Sequence, residues 1–194
     1  MSRFPELPSS LPRRGNGFSK FAARTLLALA GWRVEGEFPD RPKMVIIVAP
    51  HTSNWDFVVG ILAVFALGLG VRYFGKDTLF RAPLGWLMRW LGGTPVVRDA
   101  PQGAVGDAAE MIARADQVVL AIAPEGTRTP GKPWRSGFYN IALAAKVPIL
   151  PVAFDYPRKA VRLFPLFEPT GNYAADLARL QSRYAEVRRR DLRA

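Results

Sequence analysis

The sequence predicts an α/β domain with a mostly parallel central sheet covered by helices on both faces and an amphipathic helix at its N-terminal end. Three observations carry that prediction. Residues 44–49, 117–122 and 148–154 are short apolar runs without in-and-out alternation, as strands buried on two sides require. Segments with apolar residues at helical spacing separate them. No repeat or linker divides the chain, and 194 residues that are 49% hydrophobic suffice for one domain with a real core.

In chain order, residues 1–17, with the run Pro8-Ser9-Ser10-Leu11-Pro12, are expected to form a flexible lead-in to a single domain over 18–194. Over 18–33 the apolar residues Phe18, Phe21, Ala22, Leu26, Leu29 and Ala30 recur near helical spacing, with Lys20, Arg24 and Arg33 as the charges. Basic residues beside Phe, Leu and Trp suit a helix lying in an anionic headgroup layer; an ordinary core-facing helix has the same pattern. A strand is expected at 44–49, a helix at 54–69, a strand at 71–74 and a helix around 83–91. Strands at 95–97, 117–122 and 148–154 then alternate with helices at 104–115 and 136–146. Residues 160–167 are expected to add an edge strand, and 174–190 a final helix with Leu177, Leu180, Tyr184 and Val187 along one side. The longest apolar run, 57–71, has about fifteen residues against the ~20 that span a bilayer. It reads as a buried helix, with a re-entrant membrane segment as the other reading.

Lys and Arg number 27 against 16 Asp and Glu, a net charge of +11. That excess favours an anionic partner: a phospholipid surface, a phosphorylated substrate, an acidic carrier protein or nucleic acid. No aromatic-basic recognition motif supports nucleic acid. With no cysteine and a single histidine, there is no thiol nucleophile and a zinc site is not expected. The N-terminal residues lack the apolar core and cleavage site of a signal peptide, so a cytoplasmic location is expected.

The one histidine, His51, follows the strand at 44–49 and stands five positions before Asp56. Imidazole titrates near neutral pH, as proton abstraction from an alcohol requires, and a carboxylate would orient it. Five residues along a regular helix rotate a side chain by roughly 500°, so the two can meet only if His51 precedes the helix that carries Asp56. Ser53 fits the N-cap, with Asp56 three residues on, where a carboxylate favours the free N–H groups. A hydrogen-bonded structural pair has the same local signature. A second stretch, Ala123 to Arg135, is a Gly/Pro-rich loop leaving a buried strand. Arg128, Lys132 and Arg135 within it suit a phosphate clamp, Gly126 allows close backbone approach, and Glu125 suits a tether for Arg128 or a substrate hydroxyl; a solvated basic loop is the alternative. Arg98 follows the strand at 95–97, so three strand ends converge on one cleft. No Gly-x-Ser-x-Gly elbow occurs, which disfavours a serine hydrolase.

Four blocks in fixed order resemble the lysophospholipid acyltransferase superfamily, the group that contains lysophosphatidic acid acyltransferases. They are His51 with Asp56; Gly93-Thr94-Pro95-Val96-Val97-Arg98; Pro124-Glu125-Gly126-Thr127-Arg128; and Val147-Pro148-Ile149-Leu150-Pro151-Val152. The resemblance covers roughly residues 44–154 and implies a glycerol-3-phosphate acyltransferase-like fold. It further implies that His51 is the general base that deprotonates an acceptor hydroxyl as it attacks an acyl thioester, and that Asp56 holds and polarises the imidazole. Arg98 and Arg128 are implied at the acceptor phosphate, with Glu125, Gly126 and Thr127 as acceptor-site residues; Lys132 and Arg135 are further candidate phosphate contacts. The expected acceptor is a lysophospholipid, by default 1-acyl-sn-glycerol-3-phosphate, with another lysolipid or an amino-acid lipid as the alternative. The co-substrate is acyl-CoA or acyl carrier protein (acyl-ACP), no cofactor is needed, and the partner surface is an anionic membrane, approached from the cytoplasm as a peripheral protein on the inner face. One departure bears on the acceptor: many relatives have asparagine before the histidine, where this chain has Pro50, which lacks both a side-chain amide and a backbone donor.

Overall fold

The computed structural model describes residues 3–51, 53–96, 101–126 and 132–187. Among these residues seven strands form one sheet: β1 (Arg33–Glu35), β2 (Lys43–Val48), β3 (Arg72–Lys76), β4 (Gly93–Val96), β5 (Val118–Ile122), β6 (Ile149–Asp155) and β7 (Ala160–Leu163). Their order is β1-β7-β6-β2-β5-β3-β4. Every pairing is parallel except β6 with β7. Among the described residues six α-helices accompany them, α1 (Gly17–Leu29), α2 (Asn54–Leu67), α3 (Gly85–Trp90), α4 (Pro101–Arg114), α5 (Gly137–Ala144) and α6 (Tyr173–Ser182), with one 3₁₀ turn at Asp77–Phe80.

The sheet is apolar on both sides because successive residues of each inner strand serve opposite cores. Met44 and Ile46 of β2 join α1 and α2 in one cluster. Val45 and Ile47 join α4 and α5 in the other. A polar residue at any of positions 44–47 would therefore damage one core or the other, which explains the unbroken apolar run there. Helix α2 starts at Ser53, whose side chain caps it while Asp56 accepts from the Ser53 N–H, and stops at Gly68 in the left-handed conformation (φ 74°).

Four expectations need correction. The segment before residue 17 is not a loose lead-in: Phe4 and Leu11 are buried in the α1/α2 core, and the Arg3 carbonyl accepts from Val34 at 2.9 Å. The first helix ends at Leu29 rather than 33; Trp32 turns inward and Arg33 begins β1. Residues 160–163 form an inner strand, not an edge, because β1 closes over them through Arg33↔Ala160 to Glu35↔Arg162. The last helix stops at Ser182 rather than near 190. Three-residue turns (Arg183 N–H to Leu180 O, Tyr184 N–H to Gln181 O) swing Tyr184 under Trp134 and Phe164, where its hydroxyl donates to the Ile47 carbonyl at 3.2 Å.

Helix α6 is fastened by one buried carboxylate. Asp176 accepts from the Tyr139 hydroxyl (2.8 Å), the Thr170 N–H (2.7 Å) and the Thr170 hydroxyl (3.0 Å). Burial pushes this carboxyl up, but those donors and Arg179 outweigh it and hold it below the usual carboxylate range. A depressed folded value means the contribution is complete above the ordinary Asp value and is lost as pH falls through the folded one. Asp176→Ala is expected to lower unfolding free energy by about 2–4 kcal/mol at neutral pH. In urea titrations that gap should shrink as pH falls below 4; a pH-independent gap would remove the charge from the explanation.

Candidate active site

The parallel strands deliver their C-terminal ends to one edge, where ligands bind in open α/β sheets. β2 leads through Ala49 and Pro50, joined by a cis peptide, to His51. β5 leads to Glu125, and β6 to Tyr156. Because His51 precedes α2 and Asp56 lies in its first turn, the two side chains meet: His51 Nδ1 is 3.4 Å from Asp56 Oδ2. The imidazole is 21% exposed and the carboxylate 1%, so the ring is reachable while its partner is sealed.

Asp56 is held at both oxygens. Oδ2 also accepts from the Ser53 N–H at 2.8 Å, and Oδ1 accepts from the Tyr156 hydroxyl at 2.5 Å. Burial pushes the Asp56 carboxyl up; the hydrogen bonds from His51, Tyr156 and Ser53 outweigh it and keep the group below the usual range, hence ionised at neutral pH. Tyr156 in turn stands edge-on to Trp32, with ring centroids 5.1 Å apart. Ser53 takes the N-cap position that the sequence predicts. Tyr156 has no local signal in the sequence, since its contact with Asp56 spans 100 positions.

The second motif begins where β5 ends. Glu125 is buried, and Gly126 has φ 62°, a conformation that favours glycine. A Cβ there would meet the Arg135 side chain at 3.3 Å, so Arg135 lies across the glycine. Its backbone is tied in too, the Arg135 N–H donating to the Pro124 carbonyl at 2.8 Å. Lys132 is exposed. Arg98, Thr127 and Arg128 lie outside the described residues. A cavity of about 240 Å³ opens between Pro50, Glu125, Trp134, Gln181 and Tyr184; it reaches the residue before His51 and the second motif, while neither His51 nor Asp56 is among its lining residues, and α6 and the turn after it supply a wall that no motif announced. Among the described residues no group of three or more His, Cys, Asp or Glu is placed to hold a metal ion.

Helix α1 turns only its Ala23 and Leu27 side inward, while Phe18 (79%), Phe21 (68%) and Leu29 (81%) face outward. The Arg24 guanidinium reaches the Ala66 carbonyl near the end of α2 at 2.8 Å, locking the two helices together. Among the described residues no helix is long and apolar enough to cross a membrane.

A family model described as Acyltransferase matches residues 32–155. The chain is 28% identical over 168 residues to a 1-acyl-sn-glycerol-3-phosphate acyltransferase of Escherichia coli K12, covering 82% of this chain and 65% of the relative. It is 26% identical over 147 residues to the enzyme of the same name from Haemophilus influenzae, covering 71% and 60%. The chain thus spans less than two thirds of these curated relatives. The crystal structure of the 1-acyl-sn-glycerophosphate acyltransferase PlsC from Thermotoga maritima shares the fold, with a TM-score of 0.57 over 89% of this chain and 80% of that one, at 19% identity.

Proposed function

The chain belongs to the acyltransferase family, and on that premise we propose that it moves a fatty acyl group from acyl-CoA or acyl-ACP to the free hydroxyl of a lysophospholipid. The acceptor assigned is 1-acyl-sn-glycerol-3-phosphate, the substrate in the names of its curated relatives, with phosphatidic acid as product. One observation carries the reading: an accessible imidazole whose Nδ1 faces a buried, ionised carboxylate at 3.4 Å.

That geometry leaves Nε2 for the substrate. Nε2 takes the acceptor's proton as the oxygen attacks the thioester carbonyl, and the tetrahedral adduct collapses with loss of the C–S bond. The proton then passes from Nε2 to the departing thiolate. Asp56 stays ionised throughout and stabilises the imidazolium. The nucleophile is the substrate's own hydroxyl, so no acyl-enzyme forms. By the family motifs, Arg98 and Arg128 hold the acceptor phosphate with Glu125, Gly126 and Thr127 shaping its site. Lys132 and Arg135 add positive charge beside it, and the placement of Arg135 across Gly126 supports that role for the arginine. Pro50 favours a second reading of the acceptor, another lysolipid or an amino-acid lipid, because it removes the amide that many relatives offer next to the histidine.

The protein is placed peripherally on the inner face of the membrane, with the outward side of α1 in the lipid interface and the net charge of +11 drawing it to anionic headgroups. Deleting the N-terminus is a poor test, since Phe4 and Leu11 belong to the core. The triple variant Phe18→Ser, Phe21→Ser, Leu29→Ser keeps the core and should cut co-sedimentation with anionic vesicles by roughly tenfold or more. Undiminished binding would place the contact elsewhere. For the reaction itself, purified protein is incubated with a panel of lysolipids and each donor, and products are identified by mass spectrometry. Phosphatidic acid is the expected product; acylation of a different lysolipid alone selects the second reading, and no acyl lipid from any acceptor rejects acyl transfer.

A further inference from the structure

We propose that Tyr156 is a positioning residue for the reaction, acting on His51 through Asp56; the inference rests on the acyl-transfer reading above. A carboxylate with one restrained oxygen can still swing about its Cβ–Cγ bond. Here Oδ2 takes the Ser53 N–H and faces His51 Nδ1, and the Tyr156 hydroxyl donates to the other oxygen at 2.5 Å from Oδ1, a short charge-assisted bond. The hydroxyl is itself well placed. Tyr156 directly follows β6, whose residues Val45↔Ile149 to Val48↔Val152 are in register with β2, the strand that leads to His51. Its ring is steadied by Trp32, which is buried and whose backbone N–H donates to the Leu27 carbonyl at 2.7 Å. The donor has a second consequence. By stabilising the ionised carboxylate it keeps Asp56 from claiming the imidazole proton, so the proton on Nδ1 stays there and Nε2 remains the basic nitrogen.

Tyr156→Phe removes the hydroxyl and keeps the ring against Trp32, so the fold is retained and thermal unfolding should stay close to wild type. The expected result is a roughly tenfold fall in kcat, the worth of one hydrogen bond to a charged group, with KM for donor and acceptor within about twofold because no substrate contact is lost. In an Asp56→Ala background the same substitution should cost nothing further, since its route to His51 is gone. Wild-type kcat in Tyr156→Phe, or the same tenfold loss without Asp56, overturns the inference. His51→Ala measured alongside separates the two levels: an inactive His51→Ala with a fully active Tyr156→Phe removes only the positioning role, whereas an active His51→Ala removes the acyl-transfer reading and this inference with it.

Discussion

His51→Ala is expected to lower kcat for acyl transfer by roughly 10²–10⁴-fold, the usual worth of a positioned general base, while thermal unfolding changes little. The residue is partly exposed on the turn between β2 and α2, so its removal leaves no cavity in either core. No other side chain can take its place as a neutral base, since the chain has one histidine and no cysteine. Binding should persist, so KM for both substrates should move far less than kcat. Initial rates with purified wild-type and variant protein check this, and a variant within a few-fold of wild type removes His51 from the chemistry.

Asp56→Asn should be the next most damaging change, and it isolates charge from geometry. The asparagine oxygen can still accept from Ser53 N–H and face Nδ1, while its NH₂ can donate to the Tyr156 oxygen, so the imidazole keeps its orientation. What disappears is the negative charge 3.4 Å from the ring when the imidazolium forms. At the effective dielectric of a partly buried site that is a few kcal/mol, or roughly 10²–10³-fold in kcat. An Asp56→Asn enzyme at nearly full rate would mean that orientation alone is what the carboxylate supplies.

Much of the fold was legible for a physical reason. β2, β5 and β6 lie between two cores, so each reads as a short continuous apolar run. His51, Ser53 and Asp56 were legible because capping geometry is local, three residues from cap to carboxylate. β1 was not: Arg33-Val34-Glu35 has no strand pattern of its own and exists because β7, far along the chain, offers a parallel partner. The packed N-terminus escaped notice because Phe4 and Leu11 are single apolar residues among prolines and serines, without a period to detect. The same limit hid Tyr156 and the wall that Tyr184 brings to the cavity, both of which reach the site through long-range contacts. The sheet could be read residue by residue, but the support around the His51–Asp56 pair depends on the assembled fold.

In the proposed mechanism His51 deprotonates an acceptor hydroxyl that attacks the thioester directly. Since the protein contains no cysteine, a thiol reagent reports CoA release from acyl-CoA without background from the chain. Wild-type protein should release thiol when 1-acyl-sn-glycerol-3-phosphate is present, and should release little with an otherwise identical acceptor whose free hydroxyl is replaced by hydrogen or when His51 is alanine. Equal thiol release with the deoxy acceptor, or from His51→Ala, would contradict it.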